Sequence, residues 1–104
     1  MAEGVALTEA TYYILLSLVK PRHGYGIMQM TEVLSGGRVH LAAGTLYGAL
    51  NALSAKGWII QLPSEYESRR KEYRLTVKGR LVLEREVERL RELADNGERI
   101  LREE

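Results

Sequence analysis

Residues 44–76 read GTLYGALNALSAKGWIIQLPSEYESRRKEYRLT, and they contain the strongest indications of the fold. Its first part follows a helical period, with an apolar stripe on one side and a face of little bulk on the other. The stripe comprises Leu46, Ala49, Leu50 and Leu53, and the opposite face comprises Gly44, Tyr47, Gly48, Asn51, Ala52 and Ala55. Glycine inside a helix costs about 1 kcal/mol of stability relative to alanine, so the glycines on this face are expected to serve some purpose other than helix stability. A helix in the DNA major groove provides one, because small side chains let the backbone approach the duplex.

The competing interpretation is that the small face packs against another helix of the protein, and the residues that follow favour DNA instead. Lys56 and Gly57 end the helix, and residues 58–62 and 72–75 read as two strands. The polar residues 64–71 between the strands are predicted to project into solvent. Taken alone, Arg69, Arg70 and Lys71 would be a solvated turn. Beside a small-faced helix they are predicted to contact a phosphate or the minor groove.

Two helices are predicted before this stretch. Thr8 is a plausible N-cap for a helix from Glu9 to Val19, which is apolar nearly all round and therefore predicted to be covered by a second subunit. We expect Tyr12 and Leu16 to contribute to that dimer contact. A second helix is predicted over residues 25–34, and the pair Gly36-Gly37 stops it.

A long last helix is predicted from the Thr76 cap to the neighbourhood of Leu101. Apolar or small residues recur along it with the 4-3 spacing of a coiled-coil seam, namely Leu83, Val87, Leu90, Ala94, Gly97 and Leu101. We predict a dimer arm with Leu83, Val87, Leu90 and Leu101 in the interface, although Asn96-Gly97 is also a possible early stop. The charged residues between them read as a solvated face. Residues 1–76 are assigned to a DNA-binding domain and residues 77–104 to the dimerisation helix of the same compact unit.

Composition limits the function classes. The chain has 104 residues, 45% hydrophobic content and no cysteine, which suits one domain without a disulfide framework or a membrane span. The net charge is only +1, but residues 58–80 hold six cations and three glutamates, so positive charge is concentrated in the hairpin. His23 and His40 form no metal-site spacing and are assigned surface or capping roles. We expect no enzyme, no cofactor and no metal, and the bacterial cytoplasm as the location.

Four segments then carry a family resemblance, LTEATYYIL (7–15), HGYGI (23–27), GTLYGAL (44–50) and RRKEYRLT (69–76). Together they resemble the PadR family of bacterial transcriptional regulators, and the single short C-terminal helix resembles its smaller subgroup. The resemblance implies a winged-helix homodimer that binds an inverted-repeat operator and usually represses nearby genes. It also implies that residues 43–56 match the family's groove helix and residues 63–74 its wing. Some relatives sense an inducer at the dimer interface.

The prediction is therefore a mainly α protein with a two-stranded β-wing, a winged helix-turn-helix in the order α-α-α-β-β-α. It is expected to be a dimeric regulator of double-stranded DNA, in which Thr45, Tyr47, Gly48 and Asn51 act with the three wing cations. An aromatic or other apolar effector is expected near Tyr12, Tyr13 and Leu16. Two alternatives stay open. One is a winged-helix interaction module without DNA binding, and the other is the dimerisation part of an enzyme such as a methyltransferase.

Overall fold

The structure is a computed structural model, which describes residues 6–63 and 71–103. The elements follow in the order α1 (Glu9–Ser17), β1 (Arg22–His23), α2 (Gly24–Leu34), α3 (Ala43–Ala55), β2 (Ile59–Gln61), β3 (Glu72–Leu75) and α4 (Val77–Arg102). Most of the predicted wing loop, including Arg69 and Arg70, lies outside the described residues.

Local side-chain chemistry sets the helix ends. The Thr8 hydroxyl accepts the Thr11 N–H at 3.1 Å and the Thr76 hydroxyl accepts the Gly79 N–H at 3.0 Å, so both predicted N-caps are confirmed. α1 ends at Ser17, two residues earlier than predicted, and the Ser17 hydroxyl donates to the Ile14 carbonyl at 2.7 Å. α3 ends at Ala55, and Gly57 follows it with a φ of +76°, the left-handed conformation that glycine favours.

The sheet has three antiparallel strands in the order β1-β3-β2. The two predicted strands are present as β2 and β3, and the sequence analysis missed the third strand, β1. β1 is only two residues long and pairs Arg22 with Tyr73 and His23 with Glu72. So short a strand has no periodicity of its own, and only its pairing with β3 makes it extended. β2 pairs Ile59 with Leu75 and is shorter at both ends than predicted.

One core joins the three-helix unit, the sheet and the start of α4. It comprises Ile14, Leu15, Leu18, Ile27, Leu46, Leu50, Leu53, Trp58, Ile59, Tyr73, Leu75 and Leu83. The apolar stripe predicted for α3 is confirmed, since Leu46, Leu50 and Leu53 are all buried. The buried positions of α1 are covered by this chain itself, whereas Tyr12, Tyr13 and Leu16 remain half-buried.

α4 begins tightly against the sheet and then leaves the core. A Cβ added at Gly79 would overlap the Trp58 carbonyl oxygen, so only glycine fits this close approach. From Leu90 to Glu103 every residue is exposed, and the helix runs through Asn96 and Gly97 without the early stop that the sequence allowed. The projecting helix raises the radius of gyration to 15.6 Å, against about 13 Å for a compact domain of this size.

Candidate DNA-binding surface and the groove between α1 and α4

α3 turns an open face of small and polar residues to solvent. Thr45, Gly48 and Asn51 are exposed on it, opposite the buried leucines. A Cβ added at Gly44 or at Gly48 would meet nothing within 4 Å. Within the described part of the chain, packing therefore does not require these glycines, and the competing interpretation of a helix-packing face finds no support there.

Tyr47 does not extend freely from that face. Its hydroxyl oxygen lies 2.5 Å from where a Cβ of Gly24 would be, so the ring reaches back to the first residue of α2. The side chain is still 45% exposed. Burial, and in smaller part the neighbouring Tyr47, raise the pKa of Tyr73 on β3. Gly24 thus makes room for the Tyr47 hydroxyl, a role that the sequence alone did not indicate.

Exposed cations surround the end of α3 and the sheet. Lys71 is exposed just before β3, and Arg74 is exposed opposite Ile60 of β2. The Lys56 ammonium lies 4.7 Å from the centre of the Trp58 ring, which holds this cation beside the last turn of α3. Lys71 is thus the described member of the predicted wing triplet.

A groove of about 290 Å³ lies between α1 and α4. Its lining residues are Leu7, Glu9, Tyr12, Tyr13, Glu86 and Leu90. The rings of Tyr12 and Tyr13 meet edge to face, with centres 5.6 Å apart. Two of the three predicted effector residues are therefore brought together, whereas Leu16 packs toward the core and does not line the groove.

Glu86 is the residue that the sequence interpretation placed wrongly. It was assigned to a solvated face, but it is only 3% exposed. Its carboxylate accepts the Leu7 N–H at 2.9 Å and two bonds from the Arg89 guanidinium at 2.6 and 2.7 Å. The hydrogen bonds from Arg89 lower the pKa of Glu86, although burial opposes them. The sequence did contain an indication of this burial. Glu86 lies seven residues before Leu93 and fourteen before Ile100, so the three residues share one side of the helix, next to the seam.

The predicted dimerisation residues fall into two groups. Leu83 is buried in its own chain and Val87 is half-buried, so these two pack within the domain. Leu90 and Leu101 are 38% and 69% exposed. The seam predicted from the sequence did not include Leu93 and Ile100. These two residues are also exposed and lie on the same side of α4 as Leu90 and Leu101. Together with Ala94 and Gly97 they form an apolar face without a charged residue, which we call the arm face.

The described residues give little indication of other kinds of site, such as a metal site. No three His, Cys, Asp or Glu side chains there are grouped as a metal site would require. His23 precedes α2 without capping it through its side chain, and its Nε2 lies 3.7 Å from Glu72. No helix in the described part of the chain is both long and apolar enough to cross a membrane.

The comparison with known families decides the affiliation. The model of the transcriptional regulator PadR-like family matches residues 14–85, which include α2, α3 and the sheet. This chain belongs to that family. The PadR-like family consists of transcription regulators and not of enzymes, so the expectation of a non-enzymatic regulator is confirmed, and so is the winged-helix fold.

Solved structures of PadR-like regulators resemble this one over most of its length. A PadR family transcription regulator from hypervirulent Clostridium difficile has a TM-score of 0.75 at 28% identity, covering 90% of this chain and 99% of that one. A PadR family regulator from Eggerthella lenta has a TM-score of 0.71 at 26% identity, covering 88% of this chain and 80% of that one.

A curated relative is similar in sequence but much longer. It is an uncharacterized 37.1 kDa protein in transposon TN4556 of Streptomyces fradiae, 39% identical over 87 residues. The match covers 83% of this PadR-like chain and 24% of the relative, so the chain spans about a quarter of that protein's length.

Proposed function

We propose that this PadR-like chain acts as a homodimeric repressor that places α3 of each subunit in the major groove of an inverted-repeat operator. The observation that carries the proposal is the open face of α3. Gly44 and Gly48 are exposed within a helix and a Cβ at either would touch nothing, so folding gains nothing from them. Gly48, in the interior of the helix, costs about 1 kcal/mol relative to alanine. Close approach of a duplex gives both glycines a role.

The polar groups on this face provide the contacts in the proposal. Asn51 and Thr45 are exposed on it, and a side-chain amide is suited to reading a base edge. The Tyr47 hydroxyl is assigned to a phosphate, and its position against Gly24 supports this because the ring is already oriented. Lys71, together with Arg69 and Arg70 of the wing, is assigned to phosphates or the minor groove.

The arm face supports a dimer built on the C-terminal helix. Leu90, Leu93, Ile100 and Leu101 are exposed along one side of α4. A projecting helix with an uncharged apolar face needs a partner surface, and a second copy provides an identical one. Residues 77–104 thus form the dimer arm and residues 1–76 the DNA-binding unit. An effector that releases the protein from DNA is assigned to the groove between α1 and α4. Tyr12 and Leu90 line this groove and also belong to the proposed dimer contact.

Selection of DNA fragments from a random pool by the full-length protein tests the proposal. An enriched inverted repeat is the expected result, because a two-fold dimer reads two related half-sites. Binding to random duplex DNA should also weaken steeply with salt, since each neutralised phosphate releases counterions. A protein that enriches no sequence and shows no salt dependence would be an interaction module instead, and the proposal would be abandoned.

A further inference from the structure

Two close contacts fix the first turns of α4 to the rest of the subunit. One is at Gly79, where the backbone approaches the Trp58 carbonyl so closely that a Cβ would overlap it. The other is at Glu86, whose buried carboxylate accepts the Leu7 N–H at 2.9 Å. These contacts lie seven residues apart on the helix, which is a distance of about 10 Å. Because two points define the direction of a rod, together they set the direction in which α4 leaves the core.

Apolar packing between these two points defines that direction less sharply. Leu83 is buried, and Val82 packs against the same core. Such contacts are not directional, whereas a hydrogen bond depends on both distance and angle. Beside Glu86 a groove of about 290 Å³ separates α4 from α1, and from Leu90 onward α4 is exposed. Glu86 is therefore the last buried residue of α4, and its hydrogen bond restrains the tilt of the helix.

Leu7 links this contact to α3, the helix proposed to enter the major groove. The Leu7 side chain packs against the core and, with Ala49 and Leu53 of α3, lines a hollow of about 230 Å³. The next residue, Thr8, caps α1 through its hydroxyl and so anchors the segment. Leu7 thus meets α4 through its backbone and α3 through its side chain. The hydrogen bond from Leu7 to Glu86 consequently holds α3 and α4 in one relative orientation.

This orientation matters for DNA because the proposed dimer contact uses the exposed half of α4. Fifteen residues separate Glu86 from Leu101, a distance of about 22 Å along the helix. When two arms pair, a tilt of each subunit on its arm changes the distance between the two copies of α3. A tilt of about 10° displaces a point about 20 Å away by about 3.5 Å, which is close to the rise of one base pair, about 3.4 Å.

We propose that the hydrogen bond between Leu7 and Glu86 determines the spacing of the two operator half-sites, by fixing the angle between α4 and α3. Both residues are positioning residues, because they act on DNA through α3 rather than by reading a base. Arg89 supports them by donating two hydrogen bonds to the same carboxylate. The effect on spacing rests on the proposed function, whereas the fixed angle is a property of the subunit and can be measured without DNA.

Distances between two spin labels test the fixed angle. The chain contains no cysteine, so Ala55→Cys on α3 and Glu98→Cys on α4, both at exposed positions, provide one labelled pair per subunit. An excess of unlabelled subunits restricts the measurement to distances within one subunit. Glu86→Met has no acceptor for the Leu7 N–H, and it should broaden the distance distribution by about 3 Å, the displacement that a tilt of about 10° produces. The matched control Glu88→Met, at an exposed position, should leave the width unchanged. Equal widths in all three proteins overturn the proposal.

Selection of DNA from a random pool tests the spacing. The wild type and Glu88→Met should enrich inverted repeats with one dominant spacing. Glu86→Met should enrich the same half-site sequence with spacings one base pair shorter and longer as well. The affinity advantage of the best spacing over its neighbours should fall about two- to tenfold, as expected when one hydrogen bond that resists the tilt is lost. A merely destabilising effect would weaken every spacing by the same factor. One unchanged spacing in Glu86→Met therefore overturns the proposal.

A second variant covers the case in which Glu86→Met does not fold. Combining Glu86→Met with Arg89→Met replaces the whole ion pair by apolar side chains, a change that is often neutral for stability. This double variant also lacks the acceptor, so the same broadening of distances and spacings is expected. If the wild type enriches no inverted repeat, the proposed function fails and the effect on spacing fails with it. The spin-label distances would still decide whether Glu86 fixes the angle between α4 and α3.

Discussion

The carboxylate of Glu86 accepts the backbone N–H of Leu7 at 2.9 Å and so joins α4 to the segment before α1, across 79 positions of the chain. The same carboxylate is held by Arg89 from one turn further along α4. A buried carboxylate is stable only when its oxygens are bonded in this way. Glu86 thus holds α4 against the segment that precedes α1.

Replacing this carboxylate should destabilise the fold. Glu86→Gln keeps the shape of the side chain but removes its charge, which should lower the free energy of unfolding by about 1 to 3 kcal/mol. Glu88→Gln, at an exposed position of the same helix, is the control and should stay within about 0.5 kcal/mol of wild type. Urea denaturation at neutral pH measures both. Equal effects of the two variants would contradict the structural role of Glu86.

The same pair predicts a pH dependence with a definite sign. Because Arg89 lowers the pKa of Glu86 in the folded state, the ionised form is favoured there relative to the unfolded chain. The stabilisation is fully present above the pKa of an unfolded glutamate, about 4.3, and is lost as the pH falls through the lower folded value. The stabilities of wild type and Glu86→Gln should converge in acid and differ by a constant amount near neutral pH.

Two glycines of α2 should respond oppositely to alanine. In Gly24→Ala the new Cβ would overlap the Tyr47 hydroxyl, so the ring must move. Because the displaced atoms are the far end of a ring that is 45% exposed, we expect a loss of only about 1 kcal/mol, partly offset by helix propensity, together with weaker DNA binding. In Gly26→Ala the nearest atom would be the Arg22 Cβ at 3.8 Å, an ordinary contact, so stability should rise by up to about 1 kcal/mol. Thermal unfolding compares them, and a stable Gly24→Ala with normal DNA affinity would refute the contact.

Gly48→Ala should separate stability from DNA binding. The added methyl meets no atom of this chain, so the helix should gain up to about 1 kcal/mol. Bound DNA, in contrast, should be pushed away, and affinity for selected and random duplexes should fall. The control is Gly97→Ala, which is equally open on α4 and should leave DNA affinity unchanged. Undiminished DNA binding by Gly48→Ala would remove the main support for the proposed function.

Charges placed along α4 should distinguish the core from the arm face. Leu90→Glu puts a charge on the exposed apolar face and should dissociate the dimer while the subunit stays folded. Leu83→Glu buries a charge in the subunit core and should unfold it. Arg91→Glu, at an exposed position outside the arm face, should do neither. Light scattering and circular dichroism report the two properties, and a monomeric wild type at micromolar concentration would exclude the dimer.

The wing should contribute affinity with little sequence preference. Replacing Arg69, Arg70 and Lys71 together by alanine should weaken binding to selected and to random duplexes by the same factor. The slope of log affinity against log salt should fall by about 0.9 for each lost phosphate contact. Dimerisation should be unaffected. Retention of both affinity and slope by the triple variant would show that these cations are only a solvated turn.

Features whose signals act over only a few residues could be predicted from the amino-acid sequence. Thr8 and Thr76 could be identified as caps, and the stripe of α3 leucines as core, because a hydroxyl before a helix and a 3.6-residue period act within a few residues. The four segments that resemble the PadR family also indicated the winged-helix class. The glycines of the small face could also be recognised, since they are unusual in any helix.

Features that depend on contacts between residues far apart in the chain could be seen only in the folded protein. β1 exists because Arg22 meets Tyr73, Glu86 is buried because Leu7 and Arg89 meet it, and Tyr47 turns back because Gly24 leaves space. The predicted coiled-coil seam is likewise split between core and surface, because Leu83 is buried in the core and Leu90 is exposed. A periodic pattern shows which side of a helix is apolar, but only the packed neighbours determine how far along the helix that side is covered.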